Sequence, residues 1–145
     1  PEYIAPEEVP VYLAELKSNA FQNMAADICV ITADTVVILN GSILGKPKDE
    51  NEAANMLQKM SGKEHKVVSG VSIKLDKNRI SFSDITTVKF RQLSNNEIDY
   101  YISNYKPMDK AGAYGIQEWI GLVGIEKIEG SFYNVMGLPI HKVYN

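Results

Sequence analysis

Hydrophobic and polar positions repeat with two different periods along this chain, and the switches between them mark out its elements. Val9, Leu13, Leu16, Ala20 and Met24 recur at helical spacing, and Pro10 suits a first turn, so "PEEVPVYLAELKSNAFQNMAAD" is predicted to be a helix. Leu13, Leu16, Ala20, Phe21 and Met24 would form its apolar arc, with Lys17 projecting into the middle. Two explanations of that lysine stand level: a stem packed on the core with its ammonium reaching water, or a phosphate-binding role.

Residues 28 to 39 read as a strand, Asn40-Gly41 as a tight hairpin turn, and "SIL" as a short return strand. Asp49 and Glu52 have capping-box spacing ahead of the stripe Ala53, Met56, Leu57 and Met60, which stops at Gly62. "HKVVSGVSIKLD" and "RISFSDITTVKFRQ" alternate at period two about a polar turn at Asp76 to Asn78, predicting a long antiparallel hairpin. Ser94 and Glu97 cap a third helix with Ile98, Tyr101, Ile102 and Tyr105 on its apolar face, ended by Pro107. "LVGIEKIEG" is predicted as a strand, and "SFYNVMGLP" as a helical turn closed by Gly137 and Pro139. Hairpins mixed with crossover helices give an α/β or α+β fold with a mixed, largely antiparallel sheet.

Composition narrows the partners. The 145 residues are 45% hydrophobic and 23% charged, enough for one domain with a sizeable core. A net charge of -3 with scattered cations supplies no general field for nucleic acid, so phosphate binding would need a local site. Cys29 is the single cysteine, which excludes an internal disulfide; in "DICVIT" it reads as an inert core thiol. No apolar run approaches the roughly 18 residues of a membrane helix and no signal-peptide pattern opens the chain, so the cytoplasm is expected. The chain opens on Pro1 rather than methionine, which suggests that an upstream segment is absent.

Candidate chemistry gathers in three places. Asp34 interrupts the otherwise buried strand "ITADTVVIL", where a carboxylate could bind a divalent cation or take a proton from an attacking water; Lys46 in "GKP" is suited to phosphate. "DKAGAYGIQ" sets Asp109, Lys110 and Gln117 around two glycines; backbone N–H groups there could face an anion, and the Gln117 amide could pair with a nucleobase edge. Asp84 shares a strand face with Ile80, Phe82, Val88 and Phe90, an inward carboxylate that needs a partner and could serve the same site. His65 and His141 have no partner at metal-ligand spacing and receive no catalytic role.

Taken in order, "LAELKSNA", "ITADTVVILNGSILGKP", "MLQKMSGKEHKVVSGVSI", "TTVKFRQLSNNEIDYYI", "DKAGAYGIQ" and "IEGSFYNVMGLP" closely resemble the Maf family of nucleoside triphosphate pyrophosphatases, from about Pro6 to the end. The resemblance implies an α/β fold like that of the inosine triphosphate pyrophosphatases, with an elongated mixed sheet and a central nucleotide cleft. "DKAGAYGIQ" resembles the branch acting on dTTP and UTP, which implies hydrolysis between the α- and β-phosphates. By resemblance Asp34 is the general base and a metal ligand, Thr35 and Gln117 set pyrimidine specificity, and Lys17 and Lys46 bind phosphate, with Asp84, Asp109 and Lys110 as further candidates. Magnesium or manganese is the expected cofactor, and a pyrimidine nucleoside triphosphate the expected partner, without nucleic acid or membrane; a homodimer is compatible with the family. An alternative expectation is a nucleotide-binding regulator of septum formation in which hydrolysis is incidental. The family's N-terminal strand and Ser-x-x-Arg-Arg loop are not found here, nor is its last helix, so residues 1–145 are expected to be one Maf-like domain without them. The vacated sheet edge would then be a point of instability or dimerisation.

Overall fold

A computed structural model describes residues 3–145. Five strands, β1 (Cys29–Leu39), β2 (Ser42–Leu44), β3 (Glu64–Leu75), β4 (Asn78–Phe90) and β5 (Ile125–Glu129), form one sheet in the order β2-β1-β3-β4-β5. Every pairing among the described residues is antiparallel, in line with the largely antiparallel sheet that was predicted. Asn40 and Gly41 both take positive φ, as a hairpin turn with the twist of its strands requires, and pair Leu39 with Ser42. The β3–β4 hairpin turns at Asp76 and Lys77, as the polar break predicted.

Helices cover both faces of this sheet. α2 (Glu50–Met60) and α3 (Asn95–Tyr105) lie on one face, where Leu57, Met60, Ile98 and Tyr101 pack with Val37, Val67, Val88 and Phe90. α1 (Val9–Asn19) lies on the other, beside Val36, Ile38 and Val68. Covering on both faces explains why Val36 to Leu39 are buried at every position rather than at alternate ones. Both predicted caps form: Asp49 accepts from the Glu52 N–H at 2.8 Å, and Ser94 and Glu97 close a reciprocal box. The strand predicted across 122–130 is instead α4 (Trp119–Gly124) followed by β5. α5 (Phe132–Met136) and α6 (Ile140–Tyr144) close the fold.

The predicted face of α1 is wrong. Pro10, Ala14 and Ser18 meet the sheet, the helix ends at Asn19, and Leu16, Phe21 and Met24 are exposed. The helix backbone approaches Gly70 of β3 so closely that a Cβ there would collide with the Pro10 carbonyl and the Val11 nitrogen. Small residues alone fit such a contact, whereas a hydrophobicity pattern points to the large ones. Cys29 is also exposed rather than in the core. It opens β1 at the sheet margin, and among the described residues the β2 side of β1 is unpaired from Cys29 to Val36.

His65 is buried against Phe90, with Nε2 2.6 Å from the Tyr114 hydroxyl, and burial lowers its pKa from 6.5 to about 4. Between those values the unfolded chain binds a proton that the native state refuses, so stability falls as pH drops through that window. In urea titrations at several pH values, His65→Leu should show a shallower acid loss, by up to about 1.4 kcal/mol per pH unit. An unchanged slope would mean that this imidazole is not kept neutral.

Candidate active site

The site forms at the edge of β1 that β2 leaves uncovered. Successive strand residues point to opposite faces, so Asp34 and Thr35 cannot share a covered face. At an open edge both can border one cleft, and they do. The cleft has a volume of about 290 Å³, and Lys17, Asp34, Thr35, Lys46, Asp109, Lys110 and Gln117 all line it. Seven of the eight residues singled out by sequence therefore meet in one place.

Asp34 faces α1, where Lys17 Nζ donates to its Oδ1 at 2.6 Å and to the Ala33 carbonyl at 3.0 Å. The carboxylate is 20% exposed and the lysine 53%, so the pair lies at a wet margin and solvent discounts its contribution to stability. Lys17 therefore projects beside Asp34 rather than into an apolar arc. The register of α1 is set nearby by Thr32, whose hydroxyl donates to the Ala14 carbonyl at 2.6 Å.

Thr35 faces the opposite side. Its hydroxyl shares a 2.8 Å hydrogen bond with Ser69 and lies 3.3 Å from the Gly137 carbonyl, while Ser69 donates to the Asn134 carbonyl at 3.0 Å. Asn134 is wholly buried, and its amide donates to the Val67 and Asp84 carbonyls and the Thr86 hydroxyl. That network fastens α5 across β3 and β4, so Val135, Met136 and Gly137 become a wall of the cleft. Sequence reasoning placed "SFYNVMG" as a turn without bringing it to the site; no local pattern signals a contact between residues 35 and 137.

The remaining wall comes from two loops joined by their backbones, with the Gly112 N–H donating to the Gly45 carbonyl at 3.1 Å. Pro47 is buried and fixes the exit of the first loop, while Lys46 remains exposed. Ion pairs link Lys17 to Asp34, and Lys110 to Glu118 at 3.1 Å and Asp109 at 3.3 Å; among the described residues none engages Lys46. Burial disfavours the charge on Lys110, but the two carboxylates outweigh it and hold its pKa above the ordinary lysine value. Glu118 was missed by the sequence reading, although it adjoins Gln117.

Asp84 does not belong to the site. It occupies the same cross-strand row as Thr35 and Ser69, as its predicted facing required, but α5 lies over the sheet between them. Its carboxylate, 12% exposed, is met instead by Lys142 at 2.8 Å and His141 at 3.8 Å near the end of the chain. Arg79 and Arg91, the only arginines, also lie away from the cleft: Arg79 donates to Asn19, and Arg91 pairs with Glu97 at 2.8 Å.

The family model described as Maf-like protein matches residues 1–145. The chain belongs to the Maf family. It is 53% identical over 148 residues to the dTTP/UTP pyrophosphatase of Porphyromonas gingivalis ATCC 33277, covering 100% of this chain and 74% of that protein. The dTTP/UTP pyrophosphatase of Phocaeicola vulgatus is 52% identical over 145 residues, 99% of this chain and 75% of the relative. That of Cytophaga hutchinsonii is 49% identical over 143 residues, 99% and 66%. Among the described residues of this Maf domain no helix is long and apolar enough to cross a membrane.

The donor set also bears on a cation. No group of three or more His, Cys, Asp or Glu side chains is arranged to hold a metal among the described residues. Asp34 beside Lys17 and Asp109 beside Lys110 both bring carboxylate oxygens to the cleft, donors that suit a hard cation whose shell is completed by substrate phosphates and water.

Proposed function

We propose that this Maf-family chain is a nucleoside triphosphate pyrophosphatase acting on dTTP and UTP, releasing the monophosphate and pyrophosphate in the cytoplasm. The observation that carries the proposal is the meeting of Asp34, Lys17 and Lys46 in one cleft. The activity printed for relatives at about half identity supports the same reading. Asp34 takes the proton of a water that attacks the α-phosphorus, the bond to the bridging oxygen breaks, and pyrophosphate leaves. Lys17 and Lys46 offset the charge of the triphosphate, and Thr35 and Gln117 meet the nucleoside. A divalent cation, magnesium or manganese, would be held by Asp34 with the substrate's phosphates, offsetting their charge and making water a better nucleophile.

The test is pyrophosphate release from dTTP, UTP, dCTP and dGTP with manganese; rates for dTTP and UTP no higher than those for the other two would sink the reading. Lys46 supplies a further test, because among the described residues no ion pair must be broken before it meets phosphate. Lys46→Ala should raise KM for dTTP by about 10- to 100-fold, the range of one charge-assisted hydrogen bond, with a smaller change in kcat. Steady-state kinetics showing an unchanged KM would remove Lys46 from the phosphate site.

A further inference from the structure

The loop from Asp109 to Glu118 contains contacts that the proposed chemistry does not use. Tyr101 on α3 is wholly buried, and its hydroxyl reaches both sides of Gln117. It accepts from the Gly115 N–H at 3.1 Å and donates to Glu118 Oε2 at 3.0 Å. The other oxygen of Glu118 holds Lys110 Nζ at 3.1 Å, which ties the start of the loop to its end. The side chains converge on Gly115, where a Cβ would lie 2.7 Å from Glu118 Oε1, 2.9 Å from Lys110 Cε and 3.2 Å from Gln117 Nε2. Gln117 itself is exposed at the cleft, so its place depends on the backbone that carries it.

A glutamine amide discriminates bases only through the direction of its donor and acceptor, and a carrier loop free to shift by about 1 Å would let it satisfy several bases. A single buried hydroxyl gripping residues 115 and 118 removes that freedom. We propose that Tyr101 and Glu118 are positioning residues for Gln117: they pin both of its flanks and thereby set the preference of the cleft among nucleobases. This rests on the pyrimidine triphosphate reading of the same cleft. The Tyr101 ring fills the core beside Ile98 and Ile102, so removal of the hydroxyl alone separates pinning from packing.

The experiment compares Tyr101→Phe, Glu118→Ala and Glu118→Gln with the unaltered chain. Affinities for the nonhydrolysable α,β-imido analogues of dUTP and dCTP are measured by calorimetry, with melting temperature as the folding control and pyrophosphate release measured separately. Tyr101→Phe and Glu118→Ala should keep the fold and lose about tenfold of the preference for the uracil analogue. Glu118→Gln, which can still accept from Tyr101, should restore most of it. Preference unchanged in the first two variants, or both analogues weakened equally, would overturn the proposal. An unaltered chain that binds both analogues alike would overturn it together with the dTTP/UTP reading. Preference in binding without pyrophosphate release would sink the hydrolysis alone, and the loss of preference in the variants would still support Tyr101 and Glu118.

Discussion

Asp34→Asn is expected to lower the rate of pyrophosphate release from dTTP by about 10³-fold, within the range contributed by a positioned general base. Asparagine keeps the shape of the side chain and can still accept from Lys17, so the cleft should persist while the proton acceptor is lost. The half-exposed ion pair adds little to folding, and the variant's denaturation midpoint should stay close to that of the unaltered chain. KM should change less than kcat, because the carboxylate acts on the attacking water. A rate within about tenfold of the unaltered chain would assign the proton transfer to another group.

Gly70→Ala is expected to destabilise the protein by about 3 kcal/mol, the upper end of the range for overpacking, measured by urea denaturation. The added methyl group would meet backbone rather than the movable end of a side chain, namely the first turn of α1 at Pro10 and Val11. Only displacement of the whole helix relieves that collision, and α1 also carries Lys17. The same variant should therefore loosen the Lys17–Asp34 pair and lose activity beyond what unfolding explains, at temperatures where it remains folded. A loss below about 1 kcal/mol would mean that the helix can retreat from β3 at little cost.

These expectations depend unequally on what the chain displays locally. The Asn40-Gly41 turn, the Ser94–Glu97 box and the Ala53 to Met60 stripe could be read directly because each arises between residues only a few positions apart. The cleft candidates were legible for another reason. Charged side chains in otherwise apolar stretches are costly without a use, and Asp34 and Lys17 stand out on that ground, Gln117 by resemblance. Periodicity failed for α1, where contact distance rather than hydrophobicity selected the buried face, and for Cys29, where an apolar stretch proved to lie on a strand margin. Asp84 had the predicted facing and row but the wrong neighbours, since the position of α5 is fixed by Asn134 fifty residues away.

The sequence by itself determined the elements, most of their caps and turns, the family and the inventory of groups that could bind a triphosphate. Those follow from local backbone preference and from the chemistry of single side chains. The tertiary structure alone decided that β2 stops short of Asp34 and Thr35 and that both border one cleft, that α5 excludes Asp84, and that Tyr101 reaches both flanks of Gln117. Each of these is a meeting of residues distant in the chain, fixed by strand register and by how closely a helix can approach the sheet.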